Sequence, residues 1–328
     1  MNSSLDTLSF RSAIREALEE ELAIDESVIF FGEDVAEAGG VFAATPGLKA
    51  KYGDDRVFDT PISELALASA AFGSAVAGLR PVVEIMFGDF LFLAMDSIVN
   101  QSAKYWYLSN EQKSIPIVVR SAVGGGVGFG PIHSQVPISW FLGVPGLKII
   151  APSTPNDAKR LLKAAIRDEN PVLFFEHKGL YSLTEAREDL ELEEGLGKGR
   201  VVKSGRDITL ISCMKGVGDC LVAATKLAEV NIDAEVIDLR SLRPMDSDLI
   251  KSSFSKTKNL LVVEEGPLTG GWAAEVITIA SEVRINSSSA LWRLTTEDRP
   301  IPFSPVLENA FFPSAQVIFN SVRERLNK

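Results

Sequence analysis

Residues 81–87 read Pro-Val-Val-Glu-Ile-Met-Phe, and residues 116–122 read Pro-Ile-Val-Val-Arg-Ser-Ala. Similar apolar runs are found at Val28–Phe31, Leu147–Ala151 and Pro171–Glu176. Helical periodicity occurs between them, at Ser63–Leu79, Asp89–Leu108 and Pro155–Arg167. Continuous apolar strands that alternate with helices indicate a parallel sheet covered by helices on both faces.

The alternation is interrupted at Leu183–Lys203, an acidic stretch that ends in three glycines and is typical of a connection between domains. A second series follows it. Strands are predicted at Asp207–Cys213, Ala234–Leu239, Asn259–Glu264 and Ala290–Thr295, and helices at Gly216–Val230, Asp246–Ser255, Trp272–Val283 and Ser314–Leu326. The sequence therefore predicts two α/β domains, 1–190 and 200–328, separated near residue 195.

Composition and charge exclude several classes of protein. The chain has 328 residues, a net charge of −11 and no basic run, which argues against a nucleic-acid partner. No apolar stretch reaches the roughly 18 residues that a membrane-spanning helix needs. The two cysteines, Cys213 and Cys220, and the polar start predict free thiols in a reducing compartment, and hence a cytoplasmic protein.

A glycine-rich run follows the strand predicted at 116–122. Five of the seven residues from Gly124 to Gly130 are glycines, but the spacing fits neither the dinucleotide fingerprint nor the phosphate loop of nucleotide-triphosphate enzymes. A turn that lets the backbone approach a ligand or another chain is the simpler interpretation. So many glycines leave the run little shape of its own, and we expect a partner and a ligand to set it.

Two side chains near predicted turns could carry chemistry. His133, which follows the glycine run, could reach a substrate and titrate near neutrality, or it could be a solvated residue. Glu64 lies where Pro61 is placed to open a helix. An acid there could stabilise the helix dipole at the surface, or it could be a ligand-binding carboxylate at the sheet edge. His177 ends a predicted strand, where a structural role is the better interpretation.

Taken together, these segments resemble one family at near-constant spacing over almost the whole chain. The residues that carry the resemblance include Gly32-Glu33-Asp34-Val35, Asp59 to Glu64, Gly78-Leu79-Arg80-Pro81, His133-Ser134-Gln135, Pro152-Ser153-Thr154-Pro155, Arg243-Pro244-Met245-Asp246 and Val263-Glu264-Glu265-Gly266. The family is the beta subunits of the decarboxylating components of pyruvate, branched-chain 2-oxo acid and acetoin dehydrogenases. The resemblance implies a transketolase-like pyrimidine-binding domain followed by a transketolase C-terminal-like domain.

The resemblance also implies roles for single residues. Glu64 would hydrogen-bond the aminopyrimidine ring of thiamine diphosphate and promote deprotonation of the thiazolium carbon. Phe90 would pack on that ring and Ile62 would line it, while His133 would face the substrate. A structural potassium site made largely of backbone carbonyls is implied at Ile117, Ala165, Ile166, Asp168 and Asn170. Leu93 departs from the family pattern, because several relatives have a carboxylate there.

The chain contains no Gly-Asp-Gly sequence, the motif with which thiamine-diphosphate enzymes hold the diphosphate through magnesium. The resemblance therefore implies a separate alpha subunit that holds the magnesium, in a heterotetramer of two alpha and two beta subunits. A lipoyl acyltransferase core would be a further partner, since the reaction would decarboxylate a 2-oxo acid and acylate a lipoyl group.

Two alternatives stay open at this point. The chain could belong to an acetoin-cleaving or acyloin-forming enzyme without a lipoyl partner, and Leu93 and the unusual Trp140–Val144 stretch leave room for this alternative. It could also be a non-catalytic paralogue that only pairs with an alpha chain. The presence of both Glu64 and His133 argues against the second alternative.

Overall fold

The computed structural model describes residues 6–188, 196–283 and 289–326. The chain forms two compact units. The first comprises Met1–Val123 and Gly143–Leu196, and the second comprises Gly124–Leu142 and Gly197–Lys328. The segment with the glycine run thus groups with the second unit. The predicted connection at Leu183–Lys203 falls partly on residues 189–195, which lie outside the described residues.

The strands follow the apolar runs closely. They are β1 (Thr7–Ser9), β2 (Val28–Gly32), β3 (Val57–Asp59), β4 (Arg80–Phe87), β5 (Val118–Val123), β6 (Lys148–Ile150), β7 (Val172–His177), β8 (Thr184–Ala186), β9 (Arg200–Lys203), β10 (Ile208–Ser212), β11 (Ala234–Asp238), β12 (Ser241–Arg243), β13 (Asn259–Pro267) and β14 (Ala290–Thr296).

The helices complete the alternation. They are α1 (Phe10–Ile24), α2 (Leu48–Tyr52), α3 (Glu64–Val76), α4 (Ala103–Leu108), α5 (Ile138–Leu142), α6 (Pro155–Arg167), α7 (Lys215–Glu229), α8 (Ser247–Thr257), α9 (Ala273–Ser281), α10 (Pro305–Phe311) and α11 (Ala315–Leu326). Tighter 3-10 turns occupy Gly88–Ala94 and Lys178–Leu180, and a π-helix occupies Asp96–Ser102.

The first unit contains a parallel sheet with strand order β6-β7-β5-β4-β2-β3. All residues of β2, β5 and β7 are buried, as expected for strands covered on both faces. Because parallel strands end at one edge, the residues after β2, β3 and β4 meet there. The α/β class predicted from the sequence is confirmed.

Helices α1 and α6 pack against each other on this sheet. Thr154 caps α6 by accepting a hydrogen bond from Asp157 N at 3.3 Å, and Pro155 occupies its first turn, so the predicted bounds are confirmed. Arg167 of α6 donates to Glu21 of α1 at 2.7 and 2.9 Å. Helix α1 was not among the predicted elements, although its buried residues repeat with helical spacing.

The second unit contains a five-stranded sheet of order β14-β13-β10-β11-β9, with β9 antiparallel and the others parallel. Its core is built from these strands, from α7 and from α11. The buried members include Ile208, Leu210, Val217, Leu227, Val236, Leu261, Ile318 and Val322. The predicted second α/β series is therefore confirmed.

The continuous helix predicted over Asp89–Leu108 is wrong. The segment is a 3-10 helix, then a π-helix, and only then α4. The hydroxyl of Ser102 donates to the carbonyl of Ser97 five residues earlier, at 2.8 Å, and the two residues are buried. Such a bond accompanies the wider turn of a π-helix, and hydrophobic periodicity does not report it.

Candidate active site

The carboxyl edge of the first sheet holds Glu64 and Phe90, which the resemblance assigned to the cofactor, together with the acidic residues Glu33 and Asp59. Glu33 follows β2, Asp59 ends β3, Glu64 is the first residue of α3, and Phe90 lies in the 3-10 turn after β4. Ligands of open parallel sheets bind outside this edge. Helix α3 begins at Glu64, three residues later than Pro61, and it packs against the turn that holds Phe90.

The loop after β2 is fixed by Asp59. Its carboxylate accepts hydrogen bonds from Ala36 N at 2.7 Å and Glu37 N at 3.0 Å. Burial raises the pKa of Glu33 in this loop, and the carboxylates of Asp34 and Glu64 raise it further. Acidic groups that shift one another's pKa at a sheet edge are typical of functional sites.

Apolar side chains stand exposed around Glu64. Ile62 is 73% exposed and Leu93 is 60% exposed, while Phe90 is half-buried with its ring edge-on to Phe87 at 5.8 Å. Within the described residues, the hydroxyl of Thr60 is buried without a hydrogen-bond partner. A carboxylate, an unsatisfied hydroxyl and exposed apolar groups together fit a flat, partly apolar ligand with polar ring atoms.

An ion cluster that was not predicted from the sequence lies in the middle of the same sheet. Arg120 of β5 donates to Glu84 of β4 at 2.8 Å and to both carboxylate oxygens of Glu176 of β7 at 2.7 and 2.9 Å. The hydroxyl of Tyr181 donates to Glu176 at 3.0 Å. Burial raises the pKa of Glu84, and Arg120 opposes that shift. The sequence did contain an indication of this cluster, since each of three apolar strands carries one charged residue. A buried charge requires a partner, so the three charges could have been expected to meet.

The second unit holds His133. The histidine is half-buried in a turn between exposed Ile132 and buried Ser134, and its backbone N–H donates to Gly130 at 3.5 Å. A cavity of about 400 Å³ adjoins this segment, with Ser134 and Trp140 among its lining residues. His177 ends β7 in the first unit, where it is buried and its Nδ1 accepts from Gly179 N at 3.0 Å, in agreement with its structural interpretation.

The glycine run is held by the chain's own carboxylates. Glu265 accepts from Gly125 N at 2.7 Å, and Glu308 accepts from Gly126 N and Gly128 N, both at 2.9 Å. The run therefore has hydrogen-bond partners within the chain itself, while its shaping by a partner and a ligand stays a prediction. The two glutamates lie more than a hundred residues away in the sequence, so local pattern could not reveal them.

Family comparisons agree with this arrangement. Residues 6–184 match the model of the transketolase pyrimidine-binding domain, and residues 197–318 match that of the transketolase C-terminal domain. The 2-oxoisovalerate dehydrogenase subunit beta of Bacillus subtilis is 42% identical over 98% of this chain and 99% of its own length. The chain belongs to the family of 2-oxo acid dehydrogenase beta subunits.

Other beta subunits of this family match almost as well. The mitochondrial pyruvate dehydrogenase E1 component subunit beta of Dictyostelium discoideum is 40% identical over 96% of this chain and 90% of its own. The acetoin:2,6-dichlorophenolindophenol oxidoreductase subunit beta of Cupriavidus necator is 38% identical over 97% of each chain. A solved structure described as a split-gene transketolase, an inactive beta4 tetramer, covers 98% of each chain at 21% identity with a TM-score of 0.78, which supports the fold.

Of the five positions assigned to potassium, four lie in the last turn of α6 or just after it, and Ile117 directly precedes β5. The five are Ile117, Ala165, Ile166, Asp168 and Asn170. Carbonyls at a helix C-terminus carry unsatisfied negative charge, which suits a cation. Arg80 already donates to the carbonyls of Ile166 and Asp168, at 3.1 and 3.3 Å, and the carboxylate of Asp168 pairs with Lys148. An added ion would therefore share this site with two protein cations.

Over residues 6–188, 196–283 and 289–326, no three histidine, cysteine, aspartate or glutamate residues are grouped so that they could hold a metal ion. Among the helices in these ranges, none combines the length and the hydrophobicity that a membrane span requires.

Proposed function

We propose that this chain is the beta subunit of a thiamine-diphosphate-dependent 2-oxo acid dehydrogenase and is active only together with an alpha subunit. The complex would decarboxylate a 2-oxo acid and transfer the acyl group to a lipoyl carrier. The observation that carries the proposal is the carboxylate of Glu64 at the carboxyl edge of the first sheet, beside exposed Ile62 and half-buried Phe90.

The residues at this edge fit the aminopyrimidine ring of the cofactor. The carboxylate of Glu64 would hold a proton at the ring nitrogen, Phe90 and Ile62 would contact the ring faces, and the unsatisfied hydroxyl of Thr60 offers a further polar partner. Thiamine diphosphate, when bound, supplies the carbon nucleophile that attacks the substrate carbonyl. This chain supplies orientation and proton control.

His133 would act on the substrate. A half-buried imidazole can donate a hydrogen bond to a substrate carboxylate or to an oxygen that gains negative charge during decarboxylation. Its position after a loop held by two carboxylates supports a fixed orientation. We therefore assign Glu64 to activation of the cofactor and His133 to the steps that follow substrate binding.

The alpha subunit would hold the magnesium and the diphosphate, and two alpha and two beta subunits would form the enzyme. Exposed Ile62, Leu65 and Leu93 near Glu64 support a partner that covers this edge, because apolar groups around a polar centre are typical of interfaces. A lipoyl acyltransferase core would accept the acyl group. Both partners are proposals that copurification from the native cell tests directly.

We also propose a monovalent cation at the end of α6. The carbonyls of Ile117, Ala165, Ile166 and Asp168 and the side chain of Asn170 offer neutral oxygens of the kind that potassium prefers. Each carbonyl has two lone pairs, so those that bind Arg80 keep one for an ion.

The substrate would be a 2-oxo acid, with acetoin as the second candidate. The named relatives range only from 38% to 42% sequence identity, and one of them is named for acetoin. Sequence identity therefore does not rank 2-oxo acids above acetoin as the substrate.

We propose a cytoplasmic location, which the free and buried Cys213 and Cys220 support. Cell fractionation tests it, since several relatives are named as mitochondrial.

Calorimetry and turnover test the proposed function together. The isolated chain should bind thiamine diphosphate weakly and turn over no substrate, while the complex with an alpha subunit from the same genome should decarboxylate at least one 2-oxo acid. Pyruvate, a branched-chain 2-oxo acid and acetoin are compared with a dye as electron acceptor. Tight magnesium-dependent binding to the isolated chain, or a complex inactive on all three, would overturn the proposal.

A further inference from the structure

The glycine run has the geometry of an anion-binding nest. Gly124, Gly126, Gly128 and Gly130 have positive φ values of 88°, 89°, 76° and 74°. When residues with positive φ alternate along a segment, successive backbone N–H groups turn toward a common point, and that point attracts an anion. Residues with side chains rarely adopt this conformation, which explains the glycine at every second position.

The anion in this nest is a side chain of the same unit. Glu308 of α10 is 1% exposed, and its two carboxylate oxygens accept from Gly126 N and Gly128 N, one each, at 2.9 Å. Glu265 takes the neighbouring N–H of Gly125 at 2.7 Å. Charge-assisted bonds of this kind are stronger than bonds between neutral groups. The run is therefore a receptor for the chain's own carboxylates.

Two aromatic rings hold the ends of the same run. A Cβ atom at Gly125 would lie 2.2 Å from the ring of Phe312, and one at Gly130 would lie 2.2 Å from the ring of Phe303. A side chain at either position would require the facing ring to move. The segment from Phe303 to Phe312 thus contacts the run at both ends with rings and in the middle with a carboxylate.

We propose that Glu308 is a positioning residue that sets the orientation of His133 through the glycine run. The role given to His133 rests on the proposed function, whereas the contact between Glu308 and the run does not. Gly130 ends the run, and its carbonyl accepts the backbone N–H of His133 at 3.5 Å, so a displaced run displaces the histidine. The carboxylate of Glu308 bonds to backbone N–H groups of the run, so we give it no chemical step.

Hydrogen exchange on the full chain tests the contact without any activity. In Glu308→Gln, one carboxylate oxygen becomes an NH₂ group that faces a backbone N–H. Exchange of the Gly126 and Gly128 amides should become about 10- to 100-fold faster, the range expected when a hydrogen bond to a charged group is lost. Glu324→Gln, the same change at an exposed glutamate of the same unit, should leave exchange in the run unchanged.

Chemical rescue provides a second variant. Glu308→Ala leaves the nest without its carboxylate, and added formate should restore part of the protection, while chloride at equal ionic strength should not. Two results would overturn the inference. One is amide exchange at Gly126 and Gly128 that is unchanged in Glu308→Gln, and the other is exchange in Glu308→Ala that formate does not slow.

Turnover of the complex with the alpha subunit tests the link to His133. Glu308→Gln should slow decarboxylation about 10- to 100-fold while proton exchange at the thiazolium carbon stays normal. The double variant with His133→Ala should be no slower than His133→Ala alone, because Glu308 acts through the histidine. Multiplied effects in the double variant would overturn the positioning role. If amide exchange in the glycine run is faster in Glu308→Gln but the wild-type complex is inactive, the proposed function is overturned and the contact between Glu308 and the run is not.

Discussion

Arg120 and Glu176 form a bidentate ion pair in the middle of the first sheet, with both hydrogen bonds at 2.7–2.9 Å and both side chains 1% exposed. The same guanidinium donates a further hydrogen bond, from Nη1 of Arg120 to the carboxylate of Glu84 at 2.8 Å. One cation is therefore shared by two carboxylates, on the two strands that flank β5. Removing one partner of such a group leaves a buried charge uncompensated, which costs more than the pair contributes.

Arg120→Met should therefore destabilise the first unit by about 3–5 kcal/mol. The measurement is the urea midpoint of the transition reported by that unit. Arg206→Met is the matched control, because the Arg206 side chain is 84% exposed. Similar midpoints for the two variants would show that the cluster contributes little to stability.

Glu64→Gln should abolish most turnover of the complex while the fold and assembly stay intact. The amide has almost the shape of the carboxylate but cannot hold the transferable proton, and such a loss is typically about 10²- to 10⁴-fold in rate. Proton exchange at the thiazolium carbon, followed by NMR, is the direct measurement. Exposed Glu26 provides the control variant Glu26→Gln. Exchange at the wild-type rate in Glu64→Gln would exclude the assigned role.

His133→Ala should show the opposite pattern. Cofactor binding and thiazolium proton exchange should stay near normal, while decarboxylation in a single turnover slows by about 10²-fold or more, because a donor to the substrate is lost. Measuring the two steps in both variants separates the roles of Glu64 and His133. A His133→Ala enzyme that fails to activate the cofactor, yet processes a preformed adduct normally, would contradict the assignment.

Much of the fold was predictable because its signals are local. The apolar runs of β4, β5 and β7 mark buried parallel strands, and Thr154 and Pro155 mark the start of α6 within the sequence itself. Helix α1 carried an equally local signal, since its buried residues repeat at spacings of three and four. That element could have been predicted from periodicity.

The buried contacts were not predictable, because they depend on register and on distant segments. Glu84 and Arg120 are direct neighbours across β4 and β5, a pairing that exists only once the strands are aligned. Glu308 reaches Gly128 across 180 residues of sequence. The glycine run alone showed that something approaches the backbone, but the identity of the approaching group lay in α10.

Replacing potassium by tetramethylammonium at constant ionic strength should lower the thermal midpoint of the chain. An ion that binds only the folded state at a hundred times its dissociation constant stabilises by about 2.7 kcal/mol. The bulky organic cation cannot fit among the carbonyls of Ile166 and Asp168. Indifference of the midpoint to the exchange would leave Arg80 and Lys148 as the only cations of this site.

Glu264 should make the stability of the second unit depend on pH. Burial raises its pKa to about 7, against the hydrogen bonds that its carboxylate accepts from Trp272 N at 3.0 Å and Ala273 N at 2.8 Å. The folded state thus holds this proton more tightly than the unfolded chain, in which the pKa of the Glu264 carboxyl has its ordinary value of 4.5. The contribution to stability is fully present below pH 4.5 and is lost as the pH rises through 7.

The shift corresponds to about 3 kcal/mol across that window. Glu264→Gln cannot ionise, so its urea midpoint should fall less than that of the wild type when the pH rises from 4.5 to 7. Comparing the change with pH, and not the absolute midpoint, removes the effect of the substitution on the two backbone hydrogen bonds. Glu324→Gln, at an exposed site, should keep the wild-type dependence. Parallel pH profiles for wild type and Glu264→Gln would contradict the prediction, because the buried carboxyl would then titrate equally in the folded and unfolded states.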